Sequence, residues 1–141
     1  MKCQKTGMRV LYYVIGFCLL AMVGPIQAGA SEPIKVEILY MNHGPLRPTI
    51  RNLQELFSHY QGKVNVSWYD EDQNEGKTFQ KEKRIQGHVP LLMLIKGKKD
   101  FVIEGKTIIF EGFPSGSGPF KEVEGNWSIA DLQRLLDSLT R

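Results

Sequence analysis

A chain of 141 residues with 18 Lys and Arg, 15 Asp and Glu and two cysteines has room for one folded domain and little more. Lys2, Lys5 and Arg9 account for all of the positive excess, and Cys3 and Cys18 are the only cysteines, so beyond residue 30 the chain is formally neutral and cysteine-free. That excludes thiol–disulfide chemistry and disulfide staples there, and its charge gives no case for a nucleic-acid or anionic-membrane partner.

Residues 1–30 read as a secretory signal peptide. The basic end Met1–Arg9 is followed by the almost wholly apolar Val10–Val23, then by Gly24-Pro25 and the small-residue run Ala28-Gly29-Ala30, with the expected cut after Ala30. The apolar stretch is shorter than the roughly 20 residues of a spanning helix. An uncleaved N-terminal membrane anchor is the alternative. Lipid attachment at Cys18 is opposed by the bulky Phe17 before it. The expectation is export to a periplasm or the cell exterior, with residues 31–141 as the folded domain.

Ile34–Met41 is apolar for most of its length and predicts a strand buried on both faces. Pro45 and Pro48 punctuate a turn. Ile50, Leu53, Leu56 and Phe57 then fall at helical spacing from Thr49 to about Tyr60, and Gly62 ends that helix. Lys63–Tyr69 alternates Val64, Val66 and Trp68, a second strand. Asp70–Gly76 is an acidic loop that fails as a calcium loop: Glu75 stands where glycine is needed and Lys81 where the bidentate glutamate is needed. A solvated entry to a weakly amphipathic helix, Lys77–Gln86, is the simpler reading, and Gly87 breaks that helix.

Pro90 opens a third strand, Leu91–Ile95. Gly97–Asp100 predicts a hairpin turn into Phe101–Ile103, and Gly105-Lys106 a second turn into Thr107–Glu111. Lys96, Lys98 and Lys99 read as protection of the sheet edge. Gly112–Pro119 reads as a flexible connector, although Phe113 and Phe120 make it a candidate partner-binding loop; it lacks the Lys-Ser/Thr ending of a phosphate-binding loop. Ser128 with Asp131 opens a last helix, whose apolar stripe is Ile129, Leu132, Leu135, Leu136 and Leu139. The fold class is therefore α/β: a βαβ unit with parallel pairing, then antiparallel strands extending the same central mixed sheet, with helices on its faces.

This order, with a proline opening the third strand, resembles the thioredoxin fold over about Ile34 to Leu139. After the first strand, Asn42-His43-Gly44-Pro45-Leu46 stands where thioredoxins carry Trp-Cys-Gly-Pro-Cys, so His43 and Leu46 occupy both cysteine positions. Asp72-Gln73-Asn74 with Gly76 is similar to the family's Asp-Gln-Asn-Pro-Gly turn, and Ile85–Pro90 to the segment leading to its cis-proline. Imidazole forms no disulfide and leucine offers no nucleophile, so the resemblance implies a redox-inactive member without a cofactor. What it carries over is a docking surface: the cis-proline loop pairs with an extended peptide by β-augmentation. The implied binding residues are His43, Gly44, Pro45, Leu46, His88, Val89 and Pro90, and the implied partner is an exported protein or peptide segment. Glu37 stands about where the family places a buried acid, a group with no evident role once the thiol is gone.

Two alternatives come from the same residues. The resemblance brings the loops of His43 and His88 together, and a metal or acid–base site is one use for such a pair. Two histidines fall short of the three or four ligands of zinc sites, and His59, near the end of the first helix, is remote. The other alternative is a structural subunit of a periplasmic or surface complex. No serine stands in a nucleophile-elbow context.

Overall fold

The computed structural model describes residues 31–141. The signal peptide expected at residues 1–30 lies outside the described residues.

Three strands, β1 (Ile34–Tyr40), β2 (Val64–Asp70) and β3 (Leu91–Ile95), form a mixed sheet in the order β2-β1-β3. β1 runs parallel to β2, with Ile34 opposite Val64 and Tyr40 opposite Asp70. It runs antiparallel to β3, with Val36 opposite Ile95 and Tyr40 opposite Leu91. A central strand covered on both faces must be apolar nearly throughout, and β1 buries Ile34, Val36, Ile38 and Leu39. Parallel pairing needs a crossover, which α1 (Arg47–Ser58) supplies.

Alternate residues of the strands face two separate cores. Val36, Ile38, Leu91, Met93 and Ile95 pack with Leu53, Leu56 and Phe57 of α1 and with Leu132, Leu135 and Leu136 of α3 (Ile129–Leu139). On the opposite face Leu39, Leu92 and Val89 pack with Phe79 of α2 (Asn74–Lys83), whose ring stacks on Tyr69 at 4.1 Å. Helices thus cover both faces of the sheet, the mixed α/β arrangement expected. The Ser128–Asp131 capping box opens α3 as its sequence indicates: the Ser128 hydroxyl accepts from the Asp131 N–H, and the Asp131 carboxylate accepts from the Ser128 N–H.

Both other helices begin earlier than their periodicity suggests. A single 3-10 turn, Gly44–Leu46, runs straight into α1, and Pro48 sits in the first helical turn, where a missing N–H costs nothing. α2 starts at Asn74 and stops at Arg84 rather than Gly87, because Arg84 takes the left-handed conformation (φ 56°) and the Ile85 N–H bonds back to the Gln80 carbonyl. That stop turns Ile85 onto the second core.

The C-terminal strands depart from the expected extension of the sheet. The turns fall at Lys96-Gly97 (φ 52° and 79°) and Glu104-Gly105 (φ 49° and 79°), one residue before the expected positions. Both are two-residue turns with positive φ at each position, the kind whose twist matches a hairpin. β4 (Asp100–Ile103) and β5 (Lys106–Ile109) then pair only with each other, as a separate two-stranded ribbon. The outer edge of β3 is met instead by Lys98 and by Phe110–Gly112: the Met93 N–H donates to the Phe110 carbonyl and the Gly112 N–H to that of Leu91. The fully buried Phe110, edge-on to Trp127 at 5.8 Å, anchors the chain there.

Gly112–Pro119 is likewise no free connector. The Phe113 N–H donates to the Val123 carbonyl, the Gly125 N–H to that of Phe113, and the buried Trp127 ring N–H to that of Gly112. Gly112 has φ 77°, and a Cβ there would lie 2.6 Å from the Val123 oxygen, so only glycine fits the clasp. Among the described residues there is no cis peptide bond, so the cis bond expected before Pro90 is absent; trans is the default for X–Pro. No helix among the described residues is long and apolar enough to cross a membrane.

Candidate functional site

Because β1 and β3 are neighbours, the loop leaving β1 and the loop entering β3 lie side by side, and the Met41 N–H donates to the Pro90 carbonyl at 3.0 Å. The Leu46 N–H closes a turn onto the His43 carbonyl, and the Leu46 side chain is sunk in the main core, so the Gly44-Pro45 tip is held rather than loose. Between these loops and the clasp lies a hollow of about 200 Å³. Met41, Leu46 and Phe113 are among its lining residues, with His43, Pro45 and Pro90 from the two loops and Phe120 from the clasp. Phe120 is 69% exposed, the large aromatic that the fold leaves in solvent among the described residues.

A wider, open cleft of about 790 Å³ shares Met41, Pro90 and Val123 with the hollow and continues past His88 toward Lys99, Glu111 and Asn126. Along its rim, among the described residues, the N–H groups of His88 and Val89 make no hydrogen bond within the protein. The Val89 side chain, by contrast, is buried in the second core, so this residue offers the cleft main chain only. A Cβ on Gly44 would meet open space. The expected site residues are therefore brought together, with Leu46 and Val89 serving from beneath.

Each histidine meets an acid from the loop between β2 and α2. His88 Nδ1 lies 2.7 Å from Glu71 Oε1, and His43 Nε2 lies 3.6 Å from Asp72 Oδ2. That loop is itself fixed: the Glu71 N–H donates to the Tyr40 carbonyl and the Asp72 N–H to the Asp70 carboxylate. Gly76 lets the first turn of α2 press against it, since a Cβ there would lie 1.9 Å from the Asp70 oxygen. Among the described residues no hydrogen bond joins the two imidazoles, and no group of three or more His, Cys, Asp or Glu converges on one point.

Glu71, Asp72, Met41 and Val123 escaped the sequence reading, which took the acidic loop for a solvated helix entry. The one usable signal was topological: residues that follow two adjacent parallel strands emerge at the same end of the sheet.

Glu37 lies away from the hollow, on the α2 face, with its side chain 4% exposed between Lys35 Nζ (2.7 Å) and Lys83 Nζ (2.9 Å). Burial pushes its carboxyl up, and the hydrogen bonds and charges of the two lysines outweigh that, so it ionises below the ordinary glutamate value. Lys83 also sits 5.3 Å over the Phe79 ring. A buried acid compensated on both sides is a structural ion pair, not an exposed strand-face residue.

No protein-family model, curated protein or solved structure matches the chain.

Proposed function

We propose that the chain is an exported, redox-inactive thioredoxin-like domain that binds an extended segment of another exported protein or peptide across the His43–Leu46 turn and the His88–Pro90 loop. The β2-β1-β3 order, with β1 parallel to β2 and antiparallel to β3, is what such a fold requires of its first three strands. The observation that carries the binding role is the junction of the two loops. An apolar hollow rimmed by exposed Phe120 adjoins a cleft where the His88 and Val89 N–H groups have no partner within the protein, so one bound strand finds a side-chain pocket and backbone donors together. Nothing in residues 31–141 can carry a thiol step, since no cysteine is present there.

The test is selection of a random peptide library against the protein, followed by titration of an enriched peptide. Covering a phenylalanine is worth about 1.5–3 kcal/mol, so Phe120→Ala weakens that peptide roughly tenfold or more. Failure to enrich a common motif, or equal binding by Phe120→Ala, refutes the reading.

A further inference from the structure

The Glu71 side chain is 10% exposed, and its two oxygens are unequally served. Oε1 has the His88 ring nitrogen at 2.7 Å; Oε2 is buried without a hydrogen-bond partner. Taking a carboxylate out of water is costly unless the site returns good contacts. His88 gives back one, while its own ring stays 68% exposed at the edge of the cleft. The pair is therefore poor as a device for stability, and it does one thing well: it fixes a ring.

A carboxylate only accepts hydrogen bonds, so Nδ1 carries the proton in this contact, and in the neutral ring Nε2 is left as an acceptor. We propose that Glu71 is a positioning residue that holds His88 in the Nδ1–H form, with Nε2 as an oriented acceptor for a hydrogen-bond donor of the bound segment. This rests on the reading of the cleft as a peptide-docking surface, and it adds the chemistry selected there. A main-chain N–H, hydroxyl or amide is accepted; a carboxylate, which has no proton to give, is refused by the neutral ring. The His88 and Val89 N–H groups, which make no hydrogen bond within the protein, add donors on the same loop, so an extended segment meets an acceptor and donors together.

Ring nitrogen shifts of His88, read by long-range proton–nitrogen correlation on the whole labelled protein at about pH 8, where an ordinary imidazole is neutral, test the positioning pair without any peptide. The expected spectrum has protonated Nδ1 and bare Nε2. Glu71→Gln, which keeps the volume and can present an amide N–H to the ring, shifts the balance toward Nε2–H while circular dichroism stays unchanged. With an enriched peptide, His88→Ala and Glu71→Gln each lose roughly three- to tenfold in affinity, the worth of one hydrogen bond. A wild-type ring protonated at Nε2, a ring indifferent to Glu71→Gln, or peptide affinity indifferent to both variants overturns the proposal. A failure of the docking reading itself appears separately, as absent enrichment or an inert Phe120→Ala.

Discussion

Gly76→Ala is the most direct probe of how the acidic loop is held. An ideal Cβ at residue 76 would stand 1.9 Å from the Asp70 carbonyl oxygen, 2.5 Å from its carbon and 3.0 Å from the Glu71 Cα. All three atoms are backbone, so no rotamer change relieves the clash, and loop and helix must part by about 1 Å. Overpacking of this kind costs roughly 1–3 kcal/mol. The same movement strains the bond by which the Asp70 carbonyl accepts from the Gln73 N–H at 3.0 Å, for about 1 kcal/mol more. Replacing a helical glycine by alanine returns up to about 1 kcal/mol, which leaves a net loss near 2 kcal/mol, or about 8 °C in Tm for a domain of this size. Gly44→Ala is the matched control, because nothing lies within 4 Å of its Cβ position and its φ is not positive; it stays within about 0.5 kcal/mol of the parent. Urea unfolding followed by the fluorescence of Trp68 and Trp127, with thermal circular dichroism, measures both. Equal stability of the two variants would mean that α2 does not press on the Asp70 carbonyl, and the account of the loop would fail.

Two further outcomes follow from titrating groups. The Glu37 carboxyl is held below its ordinary value by Lys35 and Lys83, so its contribution is present above an unfolded glutamate's value of about 4.3 and is lost as pH falls through and below it. Glu37→Gln flattens the acid limb of a stability-against-pH curve measured by urea midpoints, and an unchanged limb rejects the assignment. Tyr60, buried and donating its hydroxyl to Asp137 at 2.5 Å, is pushed up to about 12, first by burial and then by that carboxylate. Its contribution is present below the unfolded tyrosine value of about 10 and is lost as pH rises from there toward 12. Tyr60→Phe costs about 0.5–1.5 kcal/mol at neutral pH and removes one late phenolate from the ultraviolet titration, leaving that of Tyr40, which burial and Asp70 also raise. A variant titration that loses no late phenolate contradicts the contact.

Where the determining contacts are near neighbours in the chain, the sequence was enough. Ser128 and Asp131 are three residues apart and satisfy each other, so the start of α3 was legible, and its stripe of leucines did enter the core. Leu91–Ile95 and the apolar run of β1 were equally plain, as was the absence of cysteine beyond Cys18. Helix starts were less so: Pro48 reads as a breaker until it is seen in a first turn, and Gly76 as a turn residue until the helix is seen pressing on Asp70.

What tertiary structure alone decided is which side chains from distant stretches of chain pair with one another. Glu71 and His88 lie 17 residues apart and meet only because β1 brings β2 and β3 to its two sides. Glu37 meets Lys83 across 46 residues, and neither pairing leaves a mark in local composition. The ribbon of β4 and β5 separates from the sheet because burying Phe110 and Trp127 draws the chain back to the edge of β3. Hydrophobic periodicity and turn chemistry act over a few residues and so are written in order along the chain. Burial and electrostatic pairing act over a few ångströms of space, and only the fold says which residues share them.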